Sequence, residues 1–600
     1  MLSQKIAAEN AHFVGFDGQR YQNSILYKFG TPDCIPFRQK ILERAGGLSN
    51  AFRAEFLHIA KRQSHVIANQ RFTQLDDFLN ICDLHLICGA DELNDFTDKT
   101  VARCEKIRTA YIDNYDECLL ELSKIAHCYK ISTPKLSDDR SNILACIARM
   151  CCQKWWRRNL RKLQITRIEA VARDLRQVNA KNSPYCSNIS LKKRRLQKQS
   201  NLEYLQSRTA VNELNQEFTL SDLAALSVSN PTIRRIELIT RCRGFETIAN
   251  SENHRGVFIT LTTPSRFHRM IKIVKNEKLI KCIPNKNYSG LTPRDAQEYL
   301  CKTWGKIQAK LSRENIKPYG FRIAEPHHDG TPHWHFLLFS TTENIKIITD
   351  IFTRYSLEDS PEENGATQHR LKIETIKSGM NPATGREYSA TGYLIKYICK
   401  NIDGYGVDNT KSSDADDWSN RNSEDVAEKI EAWARTHRIR QFQQIGGASV
   451  TVWREMRRLS EQDGVLEEIR LAAHSDDWAA FVQLMGGATV KRDEQTLRPA
   501  YAASEKLDRA TGEITPVLFT QYGDAAAERV VGVITAGIIV LSRIHYWEIT
   551  ENENVRSARR KIMDGMCELL LEIRQQGHTH LYPPDFTLQQ AKPAALDLYQ

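Results

Sequence analysis

The 600-residue sequence has no apolar run long enough to cross a bilayer. Its longest, VVGVITAGIIVLS from Val530, covers 13 residues and suits a buried strand or helix. The opening residues, MLSQKIAAENAHFVGF, lack the continuous apolar stretch that secretion needs. No GxxxxGK(S/T) element occurs, so helicase activity is not expected. The 15 cysteines form no paired knuckle with zinc spacing. Cys146, Cys151 and Cys152 therefore read as structural, and free thiols in a reducing compartment are the expectation throughout.

What is present is an ordinary globular balance, 41% hydrophobic and 26% charged, in a chain too long for one core. The formal charge of +11 suits a polyanionic partner, though many basic proteins bind no nucleic acid. Residues 1–150 read as a mainly helical domain, with FLNICDLHLICGADELNDF and YDECLLELSKIAHCYKI as packed amphipathic helices. From Lys154 to Lys198 there are 14 Lys or Arg and two acids, Glu169 and Asp174. This segment, 151–229, is either a solvated helix face or a phosphate contact surface, with Trp155 and Trp156 at its start. NSPYCSN from Asn182 should break the helix.

From about 230 the periodicity changes. Val257 to Thr263 is β-branched and extended, ended by Pro264. TPRDAQEYLCKTWGKIQAKLSREN predicts a helix capped by Thr292 with Pro293 in its first turn. GFRIAEPHHDGTPHWHFLLF predicts a hairpin around Asp329-Gly330. Strand, helix, hairpin and further helices give an α+β fold, with an antiparallel sheet in a central domain over 230–410. KSSDADDWSNRNSED from Lys411 reads as a polar loop, and 411–489 as a helical extension. Residues 490–600 read as a small mixed C-terminal region with a helix near VRSARRKIMDGMCELLLEIR and a flexible tail.

Chemistry concentrates at Pro332-His333-Trp334-His335. In a strand, residues two apart share a face, so His333 and His335 point together and Trp334 points the other way. Two imidazoles can hold a divalent cation, and a carboxylate on the neighbouring strand would complete the set while leaving sites for water and phosphate oxygen. Glu325 is the first choice for that third ligand and His327 the second, with His328 on the other face. The plain alternative is a histidine pair on a wet sheet edge.

Downstream, GYLIKYICKN reads as a helix that sets Tyr393 and Tyr397 side by side at i,i+4, with Lys396 and Lys400 on an adjacent face. Alone, that aromatic pair reads as core packing. Beside a metal site it reads differently, because a cation drawing on a phosphate lets a phenol act as nucleophile.

These motifs resemble the replication A proteins of P2-type tailed phages, within the rolling-circle initiators that carry a His-hydrophobic-His motif. PHHDGTPHWHFLLF and GYLIKYICKNIDGYG carry the resemblance in the expected order. FITLTTP from Phe258 is similar to the family's first motif, a core strand of the nuclease sheet. RQFQQIGGASVTVWREMRRL from Arg440 also resembles a family segment, without an assignable chemistry. The similarity is strongest from about 230 to 460. It implies His333 and His335 as metal ligands for Mg2+ or Mn2+, Tyr393 and Tyr397 as nucleophiles, and Lys396 as a phosphate-positioning residue. It leaves Glu325 against His327 open.

The resemblance further implies a strand-specific nick at a phage origin that is single-stranded or locally melted. A 5′-phosphotyrosine link and a primer 3′-hydroxyl would result, with rejoining of the displaced strand later. Host replicative helicase and DNA polymerase are the implied partners, in the bacterial cytoplasm and with no membrane. A mobilisation relaxase or single-strand transposase would use the same chemistry at a different DNA element. A non-enzymatic basic DNA-binding protein would form no covalent adduct.

Overall fold

A computed structural model describes residues 28–135, 140–275, 278–376, 380, 388–405, 423–508 and 511–575. The chain is mixed α+β and divides into two compact units. One comprises Met1–Arg194, Arg235–Ser504 and Pro516–Arg543, and the other Arg195–Arg234, Glu505–Thr515 and Ile544–Gln600. The polar loop expected from Lys411 lies outside the described residues up to 422. No helix among the described residues is long and apolar enough to cross a membrane.

In the larger unit, helices Cys34–Arg44, Ser49–Arg62, His65–Leu79, Ala90–Ala110, Tyr115–Cys128 and Arg140–Met150 precede a long helix α1, Gln153–Asp174. FLNICDLHLICGADELNDF is not helical throughout, because Asn80–Ile81 and Leu84–His85 form a short antiparallel pair between two helices. Cys82 and Cys128 are joined as a disulfide, which corrects the expectation of free thiols for these two.

α1 is the common wall of this region. Trp156 and Leu160 belong to one apolar cluster with Leu122 and Ile125, while Ile168 and Val171 belong to another with Phe52, Phe56 and Phe72. Trp155 packs edge-on against Trp156, so neither tryptophan forms an exposed stacking platform. The helix stops at Asp174, eight residues ahead of the break expected from Asn182, and α2 begins at Asn188. Buried Glu169 accepts from the Ser187 backbone N–H and from the hydroxyls of Ser187 and Ser190, which fixes that restart.

The sheet follows α3 (Pro231–Ser251) and consists of β1 (Arg255–Leu261), β2 (Tyr319–Pro326), β3 (Pro332–Ser340), β4 (Leu371–Thr375) and β5 (Phe442–Ile445). Its order is β4-β1-β3-β2-β5, antiparallel at every pairing. Between β1 and β2 lies α4, Pro293–Arg313, with the full capping box of Thr292 and Asp295 behind the expected Pro293. α5 (Thr342–Ser356), α6 (Ala390–Ile402) and α7 (Ser423–His437) follow.

Both faces of the sheet are covered. Trp334, Phe336 and Leu338 meet Trp304 of α4, Phe352 of α5 and Trp433 of α7. Phe258, Phe321, Leu337 and Phe339 meet Phe245 of α3, Leu394 of α6, and Trp453 and Trp478 beyond. Strand alternation therefore sorts two cores, one per face.

The apolar run from Val530 is neither one strand nor a helix. Arg529–Thr535 and Ile538–Leu541 form a hairpin that pairs with Arg498–Ala502, and Val533 alone of its apolar side chains is fully buried in the second of those cores. In the smaller unit, Arg208–Val211 pairs with both Glu217–Thr219 and Glu548–Glu551.

One arginine fastens α1 to the β2–β3 loop. Buried Arg173 donates to Asp329 O at 2.8 Å, Leu291 O at 3.0 Å and Thr331 Oγ1 at 3.2 Å. The loop itself turns at Gly330, whose φ of +83° and close approach to Tyr185 O leave no room for a Cβ. Arg173→Ala should lower unfolding stability by about 3–5 kcal/mol, read as a drop in the urea midpoint. A loss below about 0.5 kcal/mol would show that the loop is held without it.

Candidate metal centre and tyrosine helix

Register places the centre. Glu325 on β2 lies opposite His333 on β3, and Ile323 lies opposite His335. β1 flanks the other side with Thr260 opposite His335. Glu325, His333 and His335 thus emerge on one face, each with a ligand-capable atom within 4.8 Å of the others. They are the one such group of His, Cys or acidic residues among the described residues, and Cys146, Cys151 and Cys152 are not part of any. Glu325 is 1% exposed and His335 5%.

The donor set suits a divalent cation. His333 Nδ1 and His335 Nε2 are buried with no hydrogen-bond partner among the described residues. His335 Nδ1 lies 3.0 Å from Thr260 Oγ1, which orients the ring and leaves Nε2 facing Glu325 Oε2 at 3.7 Å. Burial alone would raise the Glu325 carboxyl, but Lys400, His335 and Asn401 beside it bring it down to about 2. His333 is held well below the usual histidine range by burial, with His327 and His335 adding repulsion. Both shifts favour the forms that bind metal, a carboxylate and a neutral imidazole.

α6 is pinned over this face at both ends. At its start, Glu246 of α3 accepts from the Ser389 hydroxyl at 2.9 Å and the Ala390 N–H at 2.5 Å. At its end, Lys400 Nζ donates to Glu325 Oε2 at 3.2 Å, Asn401 Nδ2 donates to Glu325 Oε1, and Arg235 of α3 pairs with Asp403 at 2.8 Å. Asn401 also donates to Tyr397 O at 2.7 Å and accepts from Gln441 Nε2 at 3.2 Å.

Held this way, α6 brings both tyrosines to the sheet. The Tyr397 ring is 9% exposed and stacks on His335 with centroids 4.2 Å apart. Phe258 of β1 lies against both, 5.7 Å from Tyr397 and 5.9 Å from the half-buried Tyr393. Lys396 is exposed, with Nζ 4.8 Å above the Tyr397 ring.

His327, the alternative third ligand, stands outside the three-residue group, although its ring is 4.1 Å from that of His333. It also adjoins His268, whose Nδ1 is 3.0 Å from Asp329 Oδ2. His328 points elsewhere, towards Tyr185.

Three supporting residues escaped the sequence reading: Thr260, Asn401 and Gln441. Asn401 follows Tyr397 by four residues, so the helical spacing that paired the tyrosines also carried its signal. Thr260 sits within FITLTTP and Gln441 within RQFQQIGG, two segments already notable for resemblance. Their partners lie 75 and 40 residues away, beyond local pattern.

The model of the bacteriophage replication gene A protein (GPA) family matches residues 89–405, just over half the chain. The replication protein of Haemophilus phage HP1 is 38% identical over 63% of this chain and 47% of its own length. The probable replication protein P12 of Pseudoalteromonas phage PM2 is 34% identical over 77% of this chain and 69% of its own. The replication gene A protein of Escherichia phage P2 is 35% identical over 62% of this chain and 48% of its own. The chain thus spans about half the length of the HP1 and P2 relatives. No solved structure matches it. The chain belongs to the bacteriophage replication gene A protein family.

Proposed function

We propose that the chain is a metal-dependent, strand-specific DNA endonuclease that opens a phage replication origin, with Tyr397 and Tyr393 as its nucleophiles. The observation that carries this reading is the stacking of Tyr397 on His335, at the face where Glu325 and His333 converge. Relatives support it: a Salmonella paratyphi A protein, named a probable replication endonuclease from a prophage-like region, is 33% identical over 60% of this chain.

Glu325, His333 and His335 would hold a divalent cation such as Mg2+ or Mn2+. When bound, such an ion draws on a phosphate oxygen and stabilises the charge that builds there. Tyrosine supplies the nucleophile: its phenolic oxygen bonds to phosphorus, the bond from phosphorus to the 3′ oxygen breaks, and the phenolic proton is replaced by one taken up at that oxygen. One phosphoester replaces another, so later joining needs no ATP. The products are a 5′-phosphotyrosine and a 3′-hydroxyl that primes copying of the intact strand.

Lys396 supplies positive charge beside Tyr397, suited to holding the scissile phosphate. Tyr393, one turn earlier against the same Phe258, can make the second cut while the first ester still stands. That cut frees a 3′-hydroxyl on the displaced strand, whose attack on the first phosphotyrosine restores a phosphodiester, releases the first tyrosine and closes the circle, as rolling-circle replication requires. The substrate is single-stranded or locally melted origin DNA, because a free strand bends into a covered sheet face more readily than a duplex. Host replicative helicase and DNA polymerase would supply unwinding and synthesis, in the bacterial cytoplasm.

The direct test is adduct formation on a labelled single-stranded origin oligonucleotide with Mn2+, read on a denaturing gel. Tyr393→Phe with Tyr397→Phe should abolish the adduct, and a persisting adduct would remove both from the nucleophile role. Singly, Tyr397→Phe should reduce the first cut more than Tyr393→Phe; the opposite ranking would assign the first cut to Tyr393.

Metal binding can be measured apart from cleavage. In calorimetric titration with Mn2+, His335→Ala and Glu325→Gln should each eliminate binding, whereas His327→Ala should leave most of it. Loss with His327→Ala and retention with Glu325→Gln would reassign the third ligand. Asn401→Ala, which removes a carboxylate partner without touching a ligand, should weaken Mn2+ binding by roughly 10–100-fold. Unchanged affinity would make the Asn401 contact purely structural.

A further inference from the structure

The basic segment is not used uniformly. In the second half of α1, arginines are committed to the fold: Arg167 donates to Phe78 O at 2.6 Å, and Arg173 holds the β2–β3 loop. On α2, Lys193 donates to Gln164 and Arg194 pairs with Glu431 of α7 at 2.6 Å. The first half of α1 differs. Arg157, Arg158, Arg161 and Lys162 have no carboxylate partner among the described residues, and Arg158, Arg161 and Lys162 are exposed.

Arg158 and Lys162 are four apart and share one stripe of the helix. Two further cations reach that stripe from distant parts of the chain. Arg294 stands in the first turn of α4, and Arg438 in the turn that follows α7. Arg294 Nη1 donates to Arg438 O at 2.9 Å, which ties the two together. Burial first, and then repulsion from Arg438, Arg158 and Arg294, lowers the Lys162 ammonium below its ordinary value. The acid that reaches the group is Glu298, paired with Arg294 at 2.9 Å and itself half exposed.

A solvated helix face would explain one stripe of basic residues on one helix. It does not explain why positions 158, 162, 294 and 438 converge from three elements. Like charge gathered this way calls for a polyanion. Lys162 and Arg158 are 11 and 15 residues before Arg173, which holds the β2–β3 loop and also donates to Leu291 O, three residues ahead of Arg294, so the patch lies along the helix that supports the hairpin. The tryptophans of the same helix are turned into the core, so the base-stacking that single-strand sites use is not built into it.

We propose that Arg158, Lys162, Arg294 and Arg438 form a phosphate-backbone site for duplex DNA flanking the nicked strand. The proposal rests on the nuclease reading for the identity of the polyanion. The patch binds without reading sequence, and it anchors the duplex arm while the melted strand enters the tyrosine face.

The test compares two sets of fluorescent oligonucleotides: the single strand across the nick site, and the same strand with a duplex arm on its 5′ or 3′ side. Affinity is measured by anisotropy at several salt concentrations for the full chain and for Arg158→Ala/Lys162→Ala/Arg438→Ala. The parent should bind one arm-bearing substrate more tightly than the single strand. The triple variant should lose that advantage roughly tenfold or more, with the slope of log affinity against log salt falling by about 3. Lys162→Glu alone should move both readings in the same direction, and adduct formation on the single strand reports that each variant is folded. An unchanged arm advantage and slope would overturn the proposal, as would equal losses on single strand and duplex arm. Absence of any adduct with the parent chain would instead sink the nuclease reading, while the arm comparison would still decide the patch.

Discussion

A carboxylate buried at the end of a sheet is the constraint on which the rest of this structure turns. Glu325 has almost no contact with water, and a lone charge there would be far too costly to keep. Lys400 and Asn401 answer it, and both lie on the last turn of α6. The docking of that helix is therefore an electrostatic matter before it is a packing one. Its apolar side, through Leu394, Tyr397 and Ile398, closes onto Phe258 and the second core only because its polar end has a fixed partner. The stacking of Tyr397 on His335 follows from the same anchor.

The surrounding network is layered. Thr260 orients His335, Asn401 orients Glu325, and Gln441 orients Asn401. These come from β1, α6 and the entry to β5, so elements far apart in the sequence contribute to one small polar face. The opposite face carries a separate apolar core and lends rigidity without chemistry, with Trp334 donating to Gln297 Oε1 at 3.0 Å. Period-two alternation lets a single strand serve both purposes.

That alternation was also the most legible signal in the sequence. His333 and His335 share a face, Trp334 opposes them, and Glu325 stands across the strand pair, as spacing alone suggested. The Thr292 cap and first-turn Pro293 of α4 were equally local and equally readable. Other features depend on contacts between distant residues and left no local trace. Cys82 meets Cys128, and the Val530 run folds into a hairpin whose turn is the inconspicuous Ala536-Gly537. The smaller unit gathers three stretches, the first separated from the other two by 270 residues, which no reading along the chain could assemble. Trp155 and Trp156 misled for a related reason: composition made them look like part of a basic surface, whereas helix phase turned them inward.

The reach of Arg173 across to the β2–β3 loop has a consequence for modularity. A sequence boundary near 230 looks like a natural seam between a helical region and a nuclease sheet. Yet the loop that spaces Glu325 from His333 has a backbone carbonyl and a threonine hydroxyl satisfied by a side chain on the far side of that seam. Recombination between relatives could exchange the segment ahead of α1 far more easily than α1 itself. The helix and the hairpin are, in effect, one inheritable piece.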